Sequence, residues 1–449
     1  MSTSIQIRIS SFLVERLVSR LCNSVFCIFI LLLPASFLMA QTRLPTILNY
    51  TLTSDLNSVN PLAAQSAFHN VDTATVEARK IQTAWQNEAL TVPWTRLQLE
   101  RYVKHKISPT RGARGLALVH VAMHDAYLIA VDKKLEPKIA VSMAAAQVLG
   151  YLFVAEEGQF DRIVFSIVDD LAKSAITAPK DDTQGAIAIG LQIGKSVVAH
   201  AEMDGAQKGW NGLRLQYYGE GRYFGPGTWE PTPPYFYYPP DEPFAPGWQP
   251  WVLEQANEFR PTPPSYGSSR YLKDLNEVIS TKENLTAEQN KIAKFWVDGH
   301  GTITPAGHWN SIAIEEVKLA RLDDKSTIQM FALLNIAMAD TFIAVWDTKY
   351  HYWTARPSTA AKYVLGNEFK STLITPPFPS YVSGHAGFSG AAARVVSAYL
   401  PLRAKVLDAM AGEAANSRLL AGIHFRHDNE DGLVLGRMVA DKVLKKLKE

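Results

Sequence analysis

Apolar residues recur at helical spacing along most of this 449-residue chain. Between Gly112 and Val131 they fall at Leu116, Val119, Ala122, Met123, Ala126 and Tyr127, one stripe of a 3.6-residue period. Ser108-Pro109-Thr110-Arg111 supplies its start, with proline in the first turn, where a missing N–H costs nothing. Residues 79–103, with Trp85, Leu90 and Trp94, read as one helix of the same kind. Residues 139–154, 159–175 and 185–205 read as alanine-rich helices. A second helical set opens at Thr286, whose capping box is completed by Gln289, and runs through Phe295 and Trp296 to Asp298-Gly299. Residues 329–356 read as one long helix, and 403–421 and 430–447 close the set, with Lys445, Lys446 and Lys448 suited to a helix C-terminus. Alternating β-branched runs are few, so the expected fold is all-α, a helical bundle.

One stretch breaks the pattern. Residues 206–270 are crowded with Pro, Gly, Tyr and Trp, as in Gly225-Pro226-Gly227-Thr228-Trp229-Glu230-Pro231-Thr232-Pro233-Pro234, and Pro-Thr-Pro-Pro returns at Pro261 to Pro264. So many aromatic residues argue against disorder, and the stretch reads as a long ordered connection, placed to roof a site or to pack a homodimer. It divides the chain into an N-terminal helical half, residues 41–285, which opens on a polar arm with short helices over 41–80, and a C-terminal half, residues 286–449.

The first 40 residues read differently again. Arg8, Arg16 and Arg20 outweigh Glu15, Val25 to Leu33 is an unbroken apolar run, and small residues lead to Ala40. This is the layout of a signal peptide, too short in its apolar run to span a bilayer, and it implies a secreted or periplasmic protein. Both cysteines, Cys22 and Cys27, lie inside it, so a chain starting at Gln41 has no thiol. The formal charge of +2 falls to about zero once the segment is removed, which excludes a net field favouring nucleic acid or an anionic membrane.

Candidate chemistry concentrates in the last quarter. Phe378-Pro379-Ser380-Tyr381-Val382-Ser383-Gly384-His385 ends a proline-punctuated turn and feeds a run of small residues, Ala386 to Ala393. A hydroxyl, an unobstructed amide and an imidazole then stand at a helix start, a ready site for an oxyanion. Upstream, Lys349 and Arg356 are seven apart, two helical turns, so both cations project from one helix face that Pro357 terminates. Downstream, Arg418 precedes His424 by six residues, and Asp428 follows it by four. Arginine forks and a lysine point charge suit the oxygens of a tetrahedral anion. Elsewhere, His120 and His124 share a helix face beside Asp125, which fits either a metal pair or two polar groups on a packed helix.

The order K-x6-R-P, S-G-H, S-R-x5-H-x3-D resembles the signature of the superfamily that joins the vanadium-dependent haloperoxidases to the type-2 phosphatidic acid phosphatases, with Val382 where many members have proline. The Trp-x-Pro-Thr-Pro-Pro segment of the connection is similar to one in bacterial haloperoxidases. The resemblance implies a vanadate cofactor, or phosphate in the phosphatase alternative. His424 would be its sole protein ligand. Lys349, Arg356 and Arg418 would neutralise its oxygens, and Ser383 and Gly384 would donate hydrogen bonds. His385 would exchange protons with hydrogen peroxide before halide is oxidised and passed to an organic acceptor. It also implies that Asp298 pairs with Arg418. His424 needs its second nitrogen engaged to fix its tautomer, and either Asp428, one turn on, or a backbone carbonyl would serve. Trp346 and Phe378 would line the halide side, as in the fungal chloroperoxidases. The alternative is a soluble acid phosphatase with His424 as nucleophile and His385 as leaving-group acid; a non-catalytic binding protein would be favoured only by loss of a cage residue.

Overall fold

Local chemistry starts and stops the helices. The computed structural model describes residues 46–49, 71–173, 180–207, 217, 222–366 and 368–448. The expected signal peptide at 1–40, both cysteines and most of the 41–80 arm lie outside the described residues. The first half contains α1 (Val71–Ala84), α2 (Val92–His105), α3 (Pro109–Asp132), α4 (Pro137–Leu152), α5 (Gln159–Lys173) and α6 (Lys180–Met203). After the connection come α7 (Ser269–Glu283), α8 (Ala287–Phe295), α9 (Thr304–Ala320), α10 (Asp324–Tyr352), α11 (Pro357–Leu365), α12 (Gly384–Tyr399), α13 (Ala404–Leu420) and α14 (Arg426–Leu447). No strand occurs among the described residues, so the fold is all-α as expected. Ser108 Oγ caps α3 by accepting the Arg111 amide, and Thr286 and Gln289 form the capping box of α8.

Three boundaries differ from the periodic pattern. Residues 79–103 are not one helix: the chain turns between α1 and α2, where Trp85 Nε1 donates to the Leu90 carbonyl and the Leu90 amide donates to Asp324. Pro93 sits in the first turn of α2, where proline belongs. The helix opened by Thr286 stops at Phe295, before Asp298-Gly299. The long helix expected over 329–356 stops at Tyr352, where Trp353 takes a left-handed conformation (φ 55°).

In the first half α4 packs on α3 and α6, and in the second α12 packs on α10, α13 and α14. α3 packs directly on α10, so one apolar core runs through both halves, and the described residues belong to a single compact unit. α3 and α10 are long and apolar enough to cross a membrane, but that stretch of α10 is wholly buried inside the protein and that of α3 mostly so. The small residues of α12 have a packing reason. A Cβ on Gly436 of α14 would come within 2.0 Å of the Gly387 carbonyl oxygen, and one on Gly390 within 2.4 Å of the Leu433 carbonyl oxygen. The two helices therefore cross backbone to backbone, which sets the start of α12 against the start of α14.

The connection is ordered where it is described, and it is tied to α10. Asp340, fully buried in α10, accepts the amides of Trp251, Val252 and Leu253 at 2.7–3.0 Å. Thr228 bridges antiparallel to Thr354, with Trp229 N–H donating to the Trp353 carbonyl and Ala355 N–H to the Gly227 carbonyl. Asp241 accepts Trp346 Nε1 and Tyr350 Oη on its carbonyl, which lays this segment over the end of α10.

Candidate functional site

Three segments meet at the end of α10. Lys349 is buried in its last turn, and its Nζ donates to the carbonyls of Pro379 (2.9 Å) and Ser380 (2.8 Å). Arg356 is not on that helix. It is the extended N-cap residue of α11, held off the helical region because proline follows it, so Lys349 and Arg356 do not share a helix face. The loop after Trp353, clamped by the connection, brings the guanidinium back to the lysine. Both cations lie over the Phe378 ring, at 5.2 and 5.0 Å, and Arg356 Nε donates to the Phe378 carbonyl.

Arg356 Nη1 also donates to the Ile423 carbonyl and contacts His424 Nε2 at 3.0 Å. A guanidinium can only donate, so Nε2 is the accepting nitrogen and Nδ1 carries the proton. That proton goes to Asp428 Oδ2, 2.8 Å away. The same oxygen receives the Ser380 hydroxyl at 2.6 Å and the Phe425 amide at 3.1 Å. Burial alone would raise the Asp428 carboxyl, but the His424 hydrogen bond and the neighbouring imidazoles and hydroxyl outweigh it and hold it well below the usual carboxylate range. Burial, with Arg356 beside it, keeps His424 neutral. Of the two partners the sequence allowed, Asp428 and not a backbone carbonyl holds the imidazole.

Ser383 caps α12, its Oγ accepting the Ala386 amide, while its own amide donates to the Asp428 carbonyl. Gly384 opens the helix, and a Cβ there would meet the Trp346 ring at 3.7 Å. The Tyr381–Val382 peptide just before it is cis. His385 follows, with a buried Nε2 that has no hydrogen-bond partner. Its pKa is pushed far down by burial and then by Arg418, His424 and His308, so it is a neutral ring with a free nitrogen. Arg418, in the last turn of α13, is 1% exposed and donates to Ser417 Oγ and the Ala293 carbonyl.

Asp298 departs from expectation. Its carboxylate hydrogen-bonds His308 Nδ1 at 3.0 and 3.2 Å and makes no ion pair with Arg418, which feels only its field. α8 ends three residues too early to carry the carboxylate to the guanidinium, and the intervening turn aims it at α9 instead. His120 and His124 form no metal pair: His120 contacts Thr95 and stacks on Phe331, and His124 bonds Asp125, which accepts the Ile47 and Leu48 amides. Among the described residues no three His, Cys, Asp or Glu side chains cluster as a metal site. Ser380, Thr354 and His308 escaped the sequence reading. A serine and a threonine in a turn carry no distinguishing signal, and His308 sits alone on an ordinary helix. His427 and Arg426, to which the sequence assigned no role, bind Asp274 and Glu277 and fasten α14 to α7.

The electrostatics ask for an anion. Burial pulls Arg356 down to about 9 and Arg418 to about 10, and burial together with Arg356 puts Lys349 well below its usual value. Three cations are desolvated against few carboxylates, an arrangement that costs several kcal/mol per ion unless opposite charge is supplied. Arg356 Nη2 is buried with no partner in the protein. An orphaned guanidinium N–H group, a free imidazole nitrogen and a helix N-terminus fit a tetrahedral oxyanion such as vanadate or phosphate.

A sequence profile described as the VCPO second helical-bundle domain matches residues 329–405 and 399–449. The structure is similar to that of the first bacterial vanadium-dependent iodoperoxidase, with a TM-score of 0.66 and 27% identity over 79% of this chain and 95% of that one. It also resembles a bacterial vanadium-dependent chloroperoxidase in its holo form (TM-score 0.58, 15% identity, 76% of this chain and 93% of that). The apo-type structure of a bacterial vanadium-dependent chloroperoxidase matches similarly (TM-score 0.57, 14% identity, 76% and 94%). No curated protein matches in sequence. The fold, the profile over the second bundle and the three motifs all fit the superfamily that joins the vanadium-dependent haloperoxidases to the type-2 phosphatidic acid phosphatases.

Proposed function

We propose that this protein is a vanadate-dependent haloperoxidase that uses hydrogen peroxide to oxidise halide to a hypohalous-acid-like species, which then halogenates an organic acceptor. The observation that carries the reading is His424 Nε2, a lone pair held ready by Asp428, facing Arg356 within a buried group of cations. Bound vanadate would supply Lewis acidity that makes a peroxide oxygen electrophilic. His424 would hold it through Nε2, while Lys349, Arg356 and Arg418 balance the charge on its oxygens without reorganising during reaction. Ser383 Oγ and the Gly384 amide at the start of α12 would donate hydrogen bonds to it. His385, neutral and with Nε2 free, accepts a proton from the incoming peroxide.

Phosphate would fit the same donors, with His424 as a nucleophile. Two features favour the peroxidase. Lys349 Nζ lies beside a wall formed by Phe378 and Trp346, whose rings are 5.0 Å apart, an apolar face suited to a large, weakly hydrated halide. The iodoperoxidase likeness spans nearly all of that protein's chain.

The test is peroxide-dependent halogenation of a dye by purified protein, with and without orthovanadate, using iodide, bromide and chloride in parallel. Turnover that requires vanadate, falls from iodide to chloride and disappears in His424→Ala is the expected result. Absence of halogenation together with vanadate-inhibited release of phosphate from an aryl phosphate would replace the reading with the phosphatase.

A further inference from the structure

We infer that Ser380 is a positioning residue for the oxyanion, although it lies outside all three sequence motifs. The inference rests on the proposed role of His424 as the residue that holds vanadate.

Ser380 is fully buried and spends every polar group on the site. Its amide donates to the Thr354 carbonyl, in the loop that presents Arg356. Its carbonyl accepts Lys349 Nζ at 2.8 Å. Its hydroxyl donates to Asp428 Oδ2 at 2.6 Å, the oxygen that takes the His424 Nδ1 proton at 2.8 Å. One residue therefore links the lysine arm, the arginine loop and the imidazole axis.

The distribution of donors on Asp428 shows what the hydroxyl does. Oδ2 receives three of them: His424 Nδ1, the Phe425 amide and Ser380. Oδ1 has no hydrogen-bond partner, with His427 Nε2 3.5 Å away. A serine present only to satisfy buried polarity would serve the needy oxygen. Here it serves the occupied one. With Oδ1 unheld, only the donors on Oδ2 fix the carboxylate's rotation about Cβ–Cγ, and of these the Phe425 amide and the Ser380 hydroxyl are independent of the imidazole. Removing the hydroxyl leaves the amide alone, and the His424 ring follows the carboxylate. Groups that orient a ligating histidine in this way typically change affinity for the bound centre by about 10–100-fold when lost.

The experiment measures binding, not turnover. Orthovanadate affinity is determined by equilibrium dialysis for the wild type, Ser380→Ala, Ser380→Thr and His424→Ala, and the His424 tautomer is followed by NMR of protein labelled with nitrogen-15 histidine. Ser380→Ala is expected to bind orthovanadate about tenfold more weakly and to show a mixed His424 tautomer. Ser380→Thr, which keeps the donor, stays within about twofold of wild type. Thermal melting of each variant shows whether it folds. A packing role predicts the reverse order, with the larger threonine worse than alanine, and that order would overturn the inference. So would a Ser380→Ala protein with wild-type affinity and unchanged His424 signals. If orthovanadate binds the wild type no better than His424→Ala, the assignment of His424 fails first and takes this inference with it.

Discussion

Helices α3 and α10 share a short central pattern and end in different chemistry. Ala122-Met123-His124-Asp125 in the first corresponds to Ala337-Met338-Ala339-Asp340 in the second, and Asp132-Lys133-Lys134 to Asp347-Thr348-Lys349. The helices pack on each other, and in each the buried aspartate accepts backbone amides from a passing segment: Ile47 and Leu48 for Asp125, Trp251 to Leu253 for Asp340. They part at the C-terminal end. α3 stops at Asp132, and Lys134 stands exposed in a left-handed turn (φ 58°). α10 runs on to Tyr352 because the connection covers it. Arg260 grips Asp347, the Asp241 carbonyl takes Trp346 and Tyr350, and Arg222 meets the carbonyls of Tyr350 and His351. Lys349 is thereby buried. The same side chain is a solvated charge in one helix and a candidate active-site cation in the other. What covers it makes the difference, since desolvation turns a lysine into a strong local field.

The largest expected effect breaks this comparison at its functional end. Lys349→Ala should lower vanadate-dependent halogenation by about a hundredfold or more, the usual cost of removing a preorganised charge stabiliser. Lys134→Ala should leave the rate unchanged. Equal effects in steady-state assays would mean that burial does not distinguish the two lysines.

The next effect concerns stability. Asp340→Ala orphans three buried amides and should cost on the order of 3–5 kcal/mol in urea unfolding, against about 2 kcal/mol for Asp125→Ala. Asp340 also carries a pH signature. Burial raises its carboxyl to about 6, against the pull of the three amides. The folded value lies above the unfolded one of about 4, so the stability this group contributes is complete below pH about 4 and is lost as pH rises through about 6. Relative to Asp340→Asn, the wild type should therefore lose about 2 kcal/mol between pH 4 and pH 7. A flat difference between the two curves would show that the amides already hold the carboxylate ionised.

The smallest effect lies one turn earlier. Asn335 exchanges hydrogen bonds with Asn310, whereas His120 at the corresponding place has a weak contact with Thr95 and an Nδ1 with no partner. Burial pushes His120 down to about 3, so it is neutral there. Asn335→Leu leaves Asn310 Oδ1 without a donor, although Nδ2 keeps the Ala306 carbonyl, and should cost about 2 kcal/mol, while His120→Leu should stay within about 1 kcal/mol. Melting temperatures of the two variants make the measurement.

Much of this was legible in the chain. Periodic apolar positions placed α3, α4, α5, α6, α13 and α14 to within a few residues, because helix amphipathicity and capping are local. The spacing around His424 offered Asp428 as one possible partner, since residues four apart on one turn meet, but left a backbone carbonyl equally open. The run of small residues after Gly384 was visible in the chain, and it is where α12 and α14 cross backbone to backbone. Local pattern says nothing about where a helix must stop when an outside segment competes for its last carbonyls. That is why the break at Trp353, decided by Trp229 and the Thr228 bridge, was invisible, and why Lys349 and Arg356 looked like neighbours on one helix. Asp298 was misassigned for the same reason: a carboxylate's partner depends on the direction of a turn.

The sequence alone thus determined the helical class, which follows from short-range periodicity, and pointed through three short motifs to a candidate oxyanion site and to the family those motifs resemble. Tertiary structure alone decided which cations are buried together, that Arg356 reaches His424 from a second helix, and that Ser380 joins the three segments. Burial, and the field it creates, are properties of residues far apart in the chain, and they exist only after the connection has closed over α10.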